Sequence, residues 1–274
     1  MVMSAQPTWI DAYGQRHPRA EVSARIVSLV PSITELLFAL DLGAQVVGRT
    51  GFCIHPRGRL RDVPKLGGTK DVDFETLAGL APSHVIVNID ENTRETYARL
   101  RELVPQVIVT HPNTPADNLE LFALLGGIFD REQEAAALSA AFRAALDGLR
   151  GSASGLPAQR VLYLIWREPW MTVAPVTYIA NMLKLVNWHT VPATPRVRYP
   201  SLSADELCAL APDLCLLSSE PYPFRDKHIA ELQTLLPPAT PVRLIDGEMV
   251  SWYGSRAILG LTYLASYATQ LRAV

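Results

Sequence analysis

The sequence predicts an α/β protein of two lobes, each a Rossmann-like parallel sheet with flanking helices, joined by a single long helix. Three observations lead there. Residues 73–87 and 203–217 repeat one pattern: a short helix, a Leu-Ala-Pro stop, and an apolar strand followed by a polar residue, Asn88 or Ser218. The two stops, Leu80-Ala81-Pro82 and Leu210-Ala211-Pro212, lie 130 residues apart. Short β-branched runs alternate with helical stretches through both halves, a pattern that favours parallel strands with helices on both faces. Residues 130–150 carry Ala and Leu at helical spacing without a proline. About 20 residues of helix span roughly 30 Å, a stiff strut rather than a flexible hinge.

The elements run in order along the chain. Residues 25–30 form a first strand, stopped by Pro31. Ser32 and Glu35 have capping-box spacing and open a helix to about Leu42. A second strand covers 45–49, and a loop rich in Gly, Pro and Arg runs from Thr50 to Lys70. Helix 74–80, strand 84–88, helix 93–103 and strand 106–110 complete the first lobe. Two helical stretches, 117–128 and 130–150, are separated by Gly126-Gly127, with Asp130 and Gln133 as a second capping box. The break at 151–155 precedes a strand over 160–165, a helix over 176–186 and the second repeat helix, capped by Ser203 and Glu206. Strand 213–217, helix 226–236, strand 242–245 and helix 255–271 close the chain. The domains are therefore a 1–24 extension, a 25–115 lobe, a 116–151 helical linker and a 152–274 lobe.

Composition narrows the function. With 49% apolar and 19% charged residues the chain is globular. A formal charge of −2 gives no global basic field for nucleic acid or an anionic membrane. No apolar run is long enough to span a bilayer. The first 25 residues lack the apolar core of a secretory signal; the sequence as given reads as cytoplasmic, or periplasmic if an export signal is missing from it. Cys53, Cys208 and Cys215 have no metal-site spacing and read as buried or half-buried thiols. There is no G-x-G-x-x-G after the first strand, no Walker lysine loop and no G-x-S-x-G elbow. Gly67-Gly68-Thr69-Lys70 has the wrong spacing for a phosphate loop.

Ligands of doubly wound sheets sit beyond the carboxyl ends of the strands, and clefts between lobes are preferred sites. The residues there are Phe52, His55 and Asn88 in the first lobe and Trp166, Trp170, Tyr222 and Trp252 in the second. Arg196, Arg198 and Tyr199 precede the second repeat helix. Four of the five tryptophans fall in the second half. Aromatics gathered at one rim predict a flat, partly apolar ligand, and arginines meet carboxylates or amides at its edge. His55 is the histidine placed to meet a metal-containing ligand. The other five are scattered, and no protein-held metal is expected.

The segment from Arg25 through Pro31-Ser32-Ile33-Thr34-Glu35-Leu36, followed by Val47-Gly48, resembles the opening of the cobalamin-, haem- and ferric-siderophore-binding proteins of ABC importers, the helical-backbone metal receptor superfamily. Asp73-Phe74-Glu75 leading to Leu80-Ala81-Pro82 is similar to the same group. Ser218-Ser219-Glu220-Pro221-Tyr222-Pro223-Phe224 and Trp252-Tyr253-Gly254-Ser255-Arg256 look most like its cobalamin-binding branch. The resemblance covers residue 25 to the C-terminus. It implies the class III substrate-binding fold and a non-enzymatic protein without a catalytic cofactor. Its ligand would be cobalamin or another metal chelate whose metal is held by the ligand itself. It implies stacking by Trp166, Trp170, Tyr199, Tyr222 and Trp252, and polar contacts from Ser32, Arg196, Arg198 and Arg256. It also implies that surface carboxylates, Glu91 or Glu95 and Glu220, dock to a membrane permease. Asn88 stands where the family often has an aromatic, so the first-lobe wall is expected to be more polar.

Three alternatives compete. One is a haem or ferric-siderophore binder, or a cytoplasmic corrinoid carrier or sensor. Another is an enzyme pairing His55 with Asp90 or Glu91 in the same cleft. The last is a module whose aromatic rim recognises protein. The expected protein is a monomer.

Overall fold

The computed structural model describes residues 7–194 and 196–272; the first six residues of the 1–24 extension and the last two of the C-terminal lobe lie outside them. Backbone contacts divide the chain into two units. Unit 1 holds the residues up to Pro112, Ala116–Phe142 and Tyr253–Arg256. Unit 2 holds Asn113–Pro115, Arg143–Trp252 and the residues from Ala257 onward.

Unit 1 opens with an antiparallel hairpin, β1 (Thr8–Ile10) and β2 (Arg16–Pro18). Then come β3 (Ile26–Ser28), α1 (Pro31–Ala39), β4 (Val46–Arg49), α2 (Phe74–Gly79), β5 (His84–Asn88), α3 (Arg94–Leu103), β6 (Gln106–Thr110), α4 (Asp117–Ile128) and the first half of α5 (Glu132–Ala153). The sheet order is β4-β3-β5-β6, parallel throughout. Val27, Val85, Val87, Val107 and Val109 turn one face of it onto Leu77 and Leu100 of the helices.

The hairpin is absent from the sequence reading because three-residue strands are too short to show a period. It covers the outer edge of β6: Ala12 N–H donates to Val109 C=O, and Val109 N–H donates to Asp11 Oδ2, both at 3.0 Å. Buried His17 joins Asp11 Oδ2 to Gln106 Oε1 at 3.1 and 3.0 Å. Trp9 packs where a side chain at Gly127 would stand. An unpaired edge strand invites pairing with another chain, and this hairpin blocks it.

Two predicted caps are corrected. The Ser32–Glu35 box does not form, because α1 starts two residues earlier. Pro31 occupies its first turn, where the missing N–H costs nothing, and Val30 is the N-cap. Ser32 is therefore inside the helix and buried, and Glu35 bonds Arg256 instead. The Asp130–Gln133 box fails for a different reason. Asp130 adopts a left-handed φ of 58° and takes the Arg19 guanidinium, which forks to Asp130 and Glu132; α5 begins at Glu132.

Unit 2 continues α5 and adds β7 (Gln159–Trp166), β8 (Trp170–Thr172), α6 (Tyr178–Lys184), β9 (Trp188–Thr190), β10 (Ser201–Leu202), α7 (Ala204–Leu210), β11 (Leu214–Ser218), α8 (Asp226–Leu235), β12 (Val242–Ile245), α9 (Gly247–Ser251) and α10 (Arg256–Arg272). Its sheet runs β10-β8-β7-β11-β12, with β9 on the first half of β7. The β7, β11 and β12 pairings are parallel, as expected, and β9, which the sequence reading lacks, is parallel to β7 as well. The antiparallel β8 and β10 extend the far half of β7 and were not legible as strands. Leu162, Leu164, Cys215 and Leu217 pack on Leu207, Phe224 and Leu232. Cys53 and Cys215 are buried, but Cys208 is exposed on α7, contrary to expectation.

The sequence repeat extends to single hydrogen bonds. Asp73 and Ser203 cap α2 and α7, accepting from Thr76 and Glu206 N–H. Ala81 and Ala211 both turn left-handed, with φ of 45° and 41°. Arg25 donates to Leu80 C=O at 2.7 Å, and Arg160 to Leu210 C=O at 2.6 Å. Asn88 and Ser218 each accept from the N–H two residues on, Asp90 and Glu220. One turn chemistry thus ends both β5 and β11.

His84 yields a pH prediction. Its ring is buried edge-on to Phe129, with centroids 5.1 Å apart. Burial, with His17 adding to it, pushes its pKa down to about 4. The unfolded ring titrates near 6.5, so between about pH 6.5 and 4 the unfolded chain holds the extra proton. Stability is full above this window and falls as pH drops through it, by at most about 3 kcal/mol. Urea unfolding of the wild type is expected to show this slope, and His84→Leu to lose it.

Candidate functional site

In unit 1 the chain leaves β3 to one side for β4, then crosses to β5 and β6 on the other. In unit 2 it leaves β7 for β8 and β9, then crosses to β11 and β12. The carboxyl ends of β3 and β5, and of β7 and β11, flank these reversals. Such switch points are where open α/β sheets bind ligands.

At the unit 2 switch point β7 ends in Trp166, which is 40% exposed. Its ring meets Tyr222, from the segment after β11, edge-to-face at 5.7 Å. Tyr222 leans on Phe224 at 4.7 Å, and Phe224 lies parallel to Trp170 at 6.2 Å. Arg167 covers Trp170 at 5.8 Å while its guanidinium forks to Glu231 at 2.8–3.1 Å. The sequence therefore placed Trp166, Trp170 and Tyr222 in one real cluster. It missed Phe224, which is buried, and His228, whose ring meets both Tyr222 and Phe224. The available signal was the Arg225–His228 spacing at the start of α8. There His228 Nδ1 accepts the Arg225 N–H at 2.9 Å, a one-way bond from the third helical residue back to the N-cap.

Trp252 and Glu220 stand differently from the expectation. Trp252 is only 7% exposed and its indole N–H donates to Glu220 Oε1 at 2.7 Å. Ser251 Oγ donates to the same oxygen at 2.5 Å. Burial pushes the Glu220 carboxyl up despite these two donors, and Glu248 and Asp246 add to the shift. Trp252 therefore seals unit 2 rather than offering a stacking face, and Glu220 is a half-buried acceptor rather than a surface carboxylate. The reason is local: α9, absent from the sequence reading, turns both Ser251 and Trp252 back onto the loop after β11. Arg198 donates to Asn113 Oδ1 at 2.8 Å and to Val176 C=O at 3.3 Å. Arg196 is exposed and Tyr199 half-buried.

In unit 1, Asn88 is buried and its polar atoms serve the turn. Its amide nitrogen donates to Thr110 Oγ1 at 3.3 Å, and its oxygen accepts Asp90 N–H at 2.8 Å. Arg256, also buried and part of unit 1, donates two 2.7 Å bonds to Glu35 of α1. Tyr253 donates to Glu91 Oε1 at 2.8 Å, and burial together with that carboxylate raises the tyrosine far above its usual range. Glu95 is exposed in the first turn of α3. Phe52 is 64% exposed and His55 half-buried, both in the loop after β4. Arg49 holds the root of that loop, donating to the carbonyls of Thr50, Cys53 and Leu60. Among the described residues, no group of three His, Cys, Asp or Glu converges as a metal site. No helix among them is long and apolar enough to cross a membrane.

Comparison with known proteins gives this geometry a family. Residues 26–235 match the family model described as periplasmic binding protein. The chain belongs to that family. Its members are binding proteins without catalytic activity. The chain is 21% identical over 251 residues to the vitamin B12-binding protein of Pectobacterium carotovorum, covering 90% of this chain and 89% of that protein. Among solved structures it resembles the periplasmic vitamin B12 binding protein BtuF of Vibrio cholerae. That match has a TM-score of 0.79 at 19% identity, over 90% of this chain and 97% of that one. It also resembles the periplasmic haem-binding protein BhuT in complex with two haems. There the TM-score is 0.76 at 21% identity, over 90% of this chain and 98% of that one. The fold is that of the class III substrate-binding proteins.

Proposed function

We propose that this periplasmic binding protein family member captures a metal-chelate small molecule for an ABC importer, with cobalamin or a related corrinoid as the ligand. The observation that carries the reading is the exposed Trp166 ring packed on Tyr222 at the unit 2 switch point. A half-exposed indole at a strand's carboxyl end is a stacking surface for a broad, partly apolar molecule. The vitamin B12-binding names of the Pectobacterium and Vibrio relatives favour a corrinoid. We place Phe52, His55, Trp166, Trp170, Arg196, Arg198, Tyr199 and Tyr222 toward the ligand. Ser32, Asn88, Trp252 and Arg256 act as supports, because each is buried. For permease docking, Glu95 is the exposed carboxylate of the three proposed, whereas Glu91 and Glu220 already accept hydrogen bonds.

Calorimetry with cyanocobalamin, cobinamide and hemin tests the reading. Cyanocobalamin is expected to bind with micromolar or tighter affinity. Absence of heat and of any melting shift at high micromolar corrinoid removes the corrinoid claim. Haem is the second reading, favoured by the likeness to the haem-loaded BhuT structure; a Soret shift with hemin, without corrinoid binding, selects it. Trp166→Ala is expected to weaken the bound ligand by about tenfold or more. Folding stability is expected to stay within about 0.5 kcal/mol, since the indole is partly in water.

A further inference from the structure

We infer that His228 is a positioning residue that fixes Tyr222 as a hydrogen-bond donor to an acceptor group on the ligand's edge, a carboxylate or an amide carbonyl. This deepens the proposed function and rests on it. The argument begins at the Arg225 backbone N–H, which donates to His228 Nδ1 at 2.9 Å. A backbone amide only donates, so that ring nitrogen carries no proton. The proton of the neutral imidazole is then on Nε2, which lies 3.3 Å from Tyr222 Oη. Two donors do not bond each other, so the ring donates and the phenol accepts.

The hydroxyl proton of Tyr222 is therefore directed away from His228. Among the described residues, no acceptor is bonded to it. His228 is 3% exposed and held edge-on by the Tyr222 and Phe224 rings at 5.5 and 5.4 Å, so its orientation is set by packing as well as by the Arg225 bond. The Tyr222 ring in turn abuts the exposed Trp166. One apolar face and one donor of fixed polarity then stand side by side. A molecule that stacks on Trp166 and presents an acceptor at its rim satisfies both. One presenting a donor there leaves two protons facing each other.

Two measurements on the full chain test this. Nitrogen-15 NMR of the histidine rings is expected to show His228 as the Nε2–H tautomer, and an Nδ1–H tautomer overturns the inference. Affinities for cyanocobalamin and hemin are then compared in wild type, Tyr222→Phe, His228→Asn and the double variant. Asparagine keeps an oxygen for the Arg225 N–H but does not reach Tyr222, so the start of α8 stays capped. Each single change is expected to weaken binding by about 3- to 10-fold, the range of one neutral hydrogen bond. The double variant is expected to lose no more than either single, because both remove the same bond. Losses that multiply in the double variant overturn the inference. The two probes also separate the acceptors: hemin presents propionate carboxylates and cyanocobalamin amide carbonyls, so the Tyr222→Phe loss appears with the probe whose acceptor the hydroxyl meets. If neither probe binds the wild type, the metal-chelate reading falls, while the tautomer alone still decides whether His228 sets the hydroxyl's polarity.

Discussion

Arg256→Met is expected to destabilise the protein by about 3–5 kcal/mol, the usual cost of leaving one member of a buried ion pair without its partner. The side chains of Arg256 and Glu35 are 8% and 19% exposed, and two 2.7 Å bonds join them. Methionine fills much of the arginine's volume, so the loss is chiefly electrostatic: the Glu35 carboxylate keeps little access to water. At about 2–4 °C per kcal/mol for a chain of this size, the melting temperature falls by roughly 10 °C. Arg256→Met with Glu35→Leu is expected to recover most of the loss, since replacing both charges with apolar groups is often neutral. Urea unfolding of the three proteins reads this directly. Equal stability of wild type and Arg256→Met would show that the pair contributes nothing.

Gly67→Ala is the second large effect, and its cause is backbone geometry. Gly67 has φ of +81°, a region that L residues adopt rarely. A Cβ there would collide with the Asp71 carbonyl oxygen, which belongs to the main chain and cannot rotate aside. The same turn is closed by Gly51 N–H donating to Gly67 C=O at 2.7 Å and Gly68 N–H donating to Asp71 C=O at 2.8 Å. Conformational strain alone costs about 1–3 kcal/mol, and the collision raises the total to about 3 kcal/mol or more. Because this turn holds the loop that carries Phe52 and His55, ligand affinity is expected to fall together with stability. Gly148→Ala, in an open helical position of α5, is the control and is expected to be neutral or stabilising.

The two parallel sheets and their helices were legible because each level of the sequence pointed the same way. The Leu-Ala-Pro stops, the apolar strands and the polar residues closing them recur with one spacing. In the structure the same positions carry matching caps, left-handed alanines and arginine bonds. The strands β1, β2, β8, β9 and β10, of two or three residues each, were not legible because they are shorter than the period that would reveal them, whereas the equally short β3 lies in a longer apolar run. In the candidate site, the cluster of Trp166, Trp170 and Tyr222 could be found from their positions at or just beyond the carboxyl ends of strands. Position along the chain does not give the direction a side chain takes. Trp252 and Arg256 also lie beyond a strand end, yet Glu220 and Glu35 draw them inward. A carboxylate far along the chain decides each case, and no local pattern announces it.

The hairpin over β6 has a practical consequence for anyone producing the protein. The span shared with the family starts at residue 26, so a gene begun there and carried to the end of the chain would discard Trp9, Asp11 and His17. The product would retain every strand of the parallel sheet but bare the rim that those residues shield. Its failure would appear as self-association in storage rather than as a missing fold, and restoring some twenty amino-terminal residues would be the remedy.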